Sequence, residues 1–94
     1  MVKYKLTDET VTADDGTVLF RIEALVDNKC YGVKAGDKGG FIEKEYNLSH
    51  EGEAWVHGNA QVSGNAQVSG DARVYGDARV YGDVQVSGDY LTIK

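Results

Sequence analysis

From residue 52 onward the chain repeats a six-residue pattern. Each of the first six units holds a glycine, an acidic or amide residue, a small apolar residue, a polar or bulky residue, a valine, and another polar or bulky residue. The units read GEAWVH, GNAQVS, GNAQVS, GDARVY, GDARVY, GDVQVS and GDYLTI, with glycine at 52, 58, 64, 70, 76, 82 and 88. Strand side chains alternate between faces, so the third and fifth residues of a unit share one face. That predicts an inward row of Ala54/Val56, Ala60/Val62, Ala66/Val68, Ala72/Val74, Ala78/Val80 and Val84/Val86. Gly followed by Asn or Asp tolerates the left-handed backbone angles of the turns between them.

Six residues are too few for hairpins within one sheet, and the pattern predicts a parallel β-solenoid. The small-then-branched inward pair resembles the hexapeptide-repeat proteins, a resemblance that implies left-handed coils of three units each, so that residues eighteen apart stack at about 4.8 Å. Val56 then lies over Val74, Val62 over Val80 and Val68 over Val86. The outward residues sort onto three faces. One carries Trp55 and His57 above Arg73 and Tyr75, and the second Gln61 and Ser63 above Arg79 and Tyr81. The third carries Gln67 and Ser69 above Gln85 and Ser87. In the same register Tyr90 and Thr92 point inward, and a one-residue slip would exchange them with Leu91 and Ile93.

Residues 1–50 follow a different pattern. Val2–Leu6 reads as a strand, and Asp14-Asp15-Gly16 is a hairpin turn signal. After it Val18, Phe20, Ile22 and Ala24 alternate with Thr17, Leu19, Arg21 and Glu23, as on a half-buried strand. Gly36 to Gly40 reads as a loop whose glycines serve a turn, and Phe41-Ile42 opens a short strand. Solenoid ends expose unpaired backbone and need covering. Residues 1–50 are expected to supply that cover, with Phe41, Ile42 and Leu48 as apolar contacts. The fold expected is all-β: a left-handed parallel β-helix of two to three coils (residues 51–94) with an N-terminal β-hairpin cap (residues 1–50).

The run KAGDKGGFIEKEYNLSHEGEAWV, together with KYKLTDET and RIEAL, resembles YdcK-like hexapeptide-repeat proteins and small phage or prophage proteins. The resemblance implies left-handed triangular coils and trimers packed side by side. Its bacterial members are often named acyltransferases, which use a histidine base near a subunit boundary. The rival reading of this chain therefore makes His57 a catalytic base. The pattern departs from the family after the inward valine, where His57, Ser63, Ser69, Tyr75, Tyr81 and Ser87 stand.

Composition narrows the functional classes. The chain has 94 residues, net charge -5, 12 glycines and no proline. Proline's absence suits strands that donate to neighbours on both sides. Residues 1–50 carry seven Lys/Arg against nine Asp/Glu, and residues 51–94 three against six. Neither half is basic, which argues against direct nucleic-acid binding. No apolar run reaches the ~20 residues of a membrane helix. Cys30 is the single cysteine, has no histidine base beside it in sequence, and points to a reducing cytoplasm. The repeat acids, such as Asp71 between Glu53 and Asp89, read as turn residues rather than metal ligands.

The balance leans against an enzyme, because no long loop interrupts the repeats to build a cleft for a base. His50, at the join, reads as a hydrogen-bonding residue. Trp55, His57, Arg73, Tyr75, Arg79 and Tyr81 form the candidate binding patch, since Arg and aromatic residues dominate interface hot spots. Arg73 beneath Trp55 allows a cation–π contact. No cofactor is expected. The expected partners are further copies of the chain, in a trimer by analogy, and a host protein or small nucleotide. The function expected is that of a phage or prophage accessory protein, inhibiting a host defence protein or sequestering a nucleotide, with a virion or tail module as another version.

Overall fold

The computed structural model describes residues 2–29 and 31–87, and the backbone of 92–93. The strands are β1 (Tyr4–Thr12), β2 (Val18–Ala24), β3 (Lys38–Ile42), β4 (Trp55–Val56), β5 (Gln61–Val62), β6 (Gln67–Val68), β7 (Arg73–Val74), β8 (Arg79–Val80), β9 (Gln85–Val86) and β10 (Thr92–Ile93). A single 3-10 turn, Glu45–Asn47, interrupts them, and the described residues form no α-helix. Among the described residues no helix is long and apolar enough to cross a membrane.

The repeats stack as parallel ladders in the expected register. Trp55 pairs with Arg73, Gln61 with Arg79 and Gln67 with Gln85, eighteen residues apart in each case. The inward row is buried, from Ala54 and Val56 through Ala72 and Val74 to Val80 and Val86. Turn residues stack in the same register, and Asn65 Nδ2 donates to Asp83 Oδ1 at 3.2 Å. Val84 departs from expectation, with 51% of its surface exposed. It directly precedes β9, which pairs only with β6 among the described residues, so no described coil covers it from the far side.

The first half is an antiparallel meander that runs into the stack without a break. β1 pairs with β2 around the Ala13–Thr17 turn, and β2 pairs with β3. β3 then turns to the stack and pairs parallel with β5, giving the order β1-β2-β3-β5-β8. Ile42 thereby precedes Val62 in the inward row, and Leu48 bridges to Val68 in the same way. Both are fully buried.

The other sequence expectations for this half need correction. β1 reaches Thr12, well past Leu6. In β2 Leu19 is buried while Val18 is exposed, because Leu19 sits on the face opposite Ile22 and Ala24 and the strand is covered there as well. Gly39 and Gly40 belong to β3, not to a loop. They lie against Val56, and a Cβ at Gly39 would sit 2.6 Å from the Val56 carbonyl oxygen.

Two stack edges continue into β3 and the Leu48 bridge. The third, at β4, is finished by side chains. Lys3 Nζ donates to the carbonyls of Gly52 (3.1 Å) and Ala54 (2.8 Å), and Asn28 Nδ2 donates to that of Glu53 (2.9 Å). Asn47 serves the adjoining corner. Its Nδ2 donates to Gly64 O and Ala66 O, and its Oδ1 accepts from the backbone N–H groups of Glu43 and Lys44. A buried carbonyl without a partner would cost about 1–3 kcal/mol, so these side chains replace a missing strand.

The last strand leaves the eighteen-residue rhythm. Arg73 pairs with Thr92 and Val74 with Ile93, nineteen positions on. The expectations for Tyr90 and Leu91, and for the side chains of Thr92 and Ile93, lie outside the described residues.

Candidate functional site

The six patch residues do not form one surface. Trp55 occupies an outward position on β4, yet it is only 3% exposed. The start of β1 covers it, with the Tyr4 ring edge-on at 6.3 Å and stacked on His50 at 4.1 Å. Tyr4 Oη donates to the backbone oxygens of Glu45 and Leu48, fixing that cover. His50 accepts from the Lys3 N–H at Nδ1, so Nε2 carries the proton toward Glu45 at 2.9 Å. It is the hydrogen-bonding residue of the join.

Tyr31 intrudes on the same face. Its hydroxyl donates to the Asp71 carbonyl, and its ring meets His57 edge-on at 5.8 Å. The Arg73 guanidinium lies 5.4 Å from the Tyr31 ring and 5.0 Å from the Tyr75 ring. The cation–π partners of Arg73 are therefore two tyrosines, in place of the expected Trp55. His57 Nε2 and Arg73 Nε are buried without a hydrogen-bond partner among the described residues. Burial, with Arg73 beside it, pushes the His57 ring down to about 4. A base that weak is poorly matched to proton abstraction near neutral pH.

The pH dependence of stability follows from these buried groups. The His57 pKa falls from 6.5 unfolded to about 4 folded, so the unfolded chain binds more protons across that window. Stability is expected to fall as pH drops from 6.5 toward 4. Lys3, lowered from 10.5 to about 8 mainly by burial against the pull of Glu53 and Asp71, adds a second rise in stability above pH 8. Tyr4, raised by burial and by Glu45, reverses that rise above pH 10. Denaturant titrations across this range check the curve. A His57→Gln variant that keeps the full acid limb would remove His57 as its cause.

Arg79 and Tyr81 remain open. Tyr81 is 67% exposed, the most exposed large apolar or aromatic side chain among the described residues. The β1–β2 turn leans toward this face, and Asp14 Oδ2 lies 3.4 Å from an Arg79 terminal nitrogen. Between turn and coil runs a cleft of about 290 Å³, lined by Asp14, Asp15, Gln61, Ser63, Arg79 and Tyr81. Arg21 fixes the meander to the stack nearby. Its guanidinium lies over Phe41 at 4.2 Å, donates to Gly39 O at 2.6 Å and pairs with Glu9 at 2.8 Å.

Residues 60–72, 66–78 and 72–88 match the family model described as the YdcK β-solenoid repeat. Residues 60–88 carry the YdcK-type β-solenoid repeat. Searches of curated proteins and of solved structures returned no significant match. The matched part of this YdcK-type solenoid includes Gln61, Ser63, Arg79 and Tyr81, and leaves the meander with Asp14 and Asp15 outside. The cleft thus joins repeat residues to residues contributed from outside the match.

Sequence reasoning missed Tyr31, Asp14 and Asp15 as parts of these sites. The Asp-Asp-Gly run signalled a turn, and nothing local shows which solenoid face that turn approaches. The β3–β5 pairing decides it.

Proposed function

We propose that this chain is a non-enzymatic phage or prophage accessory protein that acts by assembly and by holding a partner at the Arg79–Tyr81 cleft. The observation that carries the reading is the concentration of accessible hot-spot side chains there. Cover from Tyr4 and Tyr31 takes Trp55 and much of His57 and Arg73 out of solvent, whereas Arg79 and Tyr81 stay open beside a formed cleft. Arg and Tyr lead the residue types that dominate binding energy. The phage assignment and the trimer rest on the resemblance. A small nucleotide fits the cleft poorly, because Asp14 and Asp15 oppose a phosphate.

The test is the double variant Arg79→Ala/Tyr81→Ala. It is expected to keep the wild-type circular dichroism and to lose partner capture from host extract by at least about tenfold. Undiminished capture would move the site elsewhere. Sedimentation of the wild type at low concentration checks assembly, and a stable monomer would end that part of the proposal.

A further inference from the structure

The chemistry of the cleft narrows what it can hold. This step rests on the reading that the cleft is the binding site. Asp14 and Asp15 present acceptors, and the Arg79 guanidinium presents donors. Gln61 and Ser63 present both, and Tyr81 adds an exposed ring at the edge. Asp15 is held ionised by its hydrogen bond from the Thr17 N–H at 3.0 Å, which keeps its carboxyl below the usual range.

Each ligand class meets these groups differently. A phosphate would face two carboxylates. A purely apolar group would meet Ala13 and the Tyr81 ring but leave the other five lining side chains, all polar or charged, without partners. A purely cationic group would compete with Arg79. A ligand carrying several neighbouring hydroxyls satisfies all of them at once, since each hydroxyl both donates and accepts. The C–H face of a pyranose ring also lies well against an exposed tyrosine ring. The volume, about 290 Å³, is near the ~300 Å³ lower end of small-molecule pockets and suits a short saccharide rather than a large ligand. The Asp14–Arg79 pair is solvent-exposed on both sides, so opening it for hydroxyls costs little.

We infer that the cleft between the β1–β2 turn and the β5–β8 face is a saccharide-binding site, in which Tyr81 carries the ring face and Asp14, Asp15, Gln61 and Arg79 hold the hydroxyls. The site binds neutral sugars weakly and reversibly, and it carries out no covalent step.

The experiment is an amide-resonance titration of the full chain with maltotriose, mannotriose and tri-N-acetylchitotriose. Uridine monophosphate and N-acetylarginine amide serve as comparison probes. At least one trisaccharide is expected to bind with a dissociation constant on the order of 1 mM and to shift the amides of Ser63, Arg79 and Tyr81. Tyr81→Ala and Asp15→Asn are each expected to weaken it about tenfold. Binding of none of the three saccharides at ~10 mM overturns the inference, as does stronger binding of either comparison probe at the same amides. If the saccharides fail while the Arg79→Ala/Tyr81→Ala variant still loses partner capture, the cleft stands as the docking site and only its sugar chemistry falls. If the variant keeps capture, the docking reading itself falls.

Discussion

Replacing Asn47 with alanine is expected to destabilise the chain by about 3–5 kcal/mol, a large share of the ~5–15 kcal/mol that holds a domain together. The side chain is fully buried and makes four hydrogen bonds. Alanine would leave the carbonyls of Gly64 and Ala66, and the Glu43 and Lys44 N–H groups, to find other partners. Leu48 follows directly, so the loss would reach the inward row. Asn47→Asp separates the contributions, because it keeps the acceptor and removes both donors while burying a charge. Urea denaturation of the two variants reads the result. A loss below about 1 kcal/mol for Asn47→Ala would mean that water reaches those carbonyls.

Gly40→Ala is the second large effect, and its mechanism is steric. The added methyl would lie 2.6 Å from Val56 Cγ1, 2.7 Å from the Ala60 carbonyl oxygen and 3.2 Å from that of His57. The Ala60 oxygen already accepts from the Phe41 N–H at 2.9 Å, so it cannot retreat without weakening the bond that ties β3 to the stack. Overpacking against a backbone held in this way is expected to cost about 3 kcal/mol and to lower the melting temperature by roughly 10 °C or more. Gly16→Ala is the useful contrast. Gly16 has φ 91 and nothing within 4 Å of an added Cβ, so only backbone strain of roughly 1–2 kcal/mol applies. Equal melting temperatures for the two variants would refute the steric account.

The solenoid was readable because its rules are local. A corner glycine every six residues and a valine four positions after each need no knowledge of the rest of the chain, and the Trp55–Arg73, Gln61–Arg79 and Gln67–Gln85 pairs followed from them. What failed depended on distant parts of the chain. Trp55 has an outward position by period, but the start of β1 and Tyr4 turn that position into interior. Gly39 and Gly40 have turn-like composition, yet they are in a strand because Ile22 and Val56 leave no room for a side chain. Leu19 is buried on the face opposite Ile22 and Ala24, a second covered face that a one-sided alternation pattern does not contain. Nothing in the local pattern marks Lys3 or Asn47, because their burial is set by the rim carbonyls they meet. For the candidate site, Arg79 and Tyr81 were visible from the sequence, while the opposite wall was not, since it comes from a turn more than forty residues earlier.

The sharing of β3 between meander and stack also gives assembly a direction. β1 and β2 are joined by the tight Ala13–Thr17 turn, and β3 first meets β2 at the Glu23–Lys38 pair, fifteen residues apart, whereas each later ladder closes a loop of eighteen to twenty residues. Loop closure costs entropy before any pairing offsets it, so the local meander is the cheaper nucleus. Once β3 is in place it offers a finished edge to β5, and β5 offers one to β8. The repeats are nearly identical in sequence and could pair in several registers, so the meander acts as the origin from which their count begins.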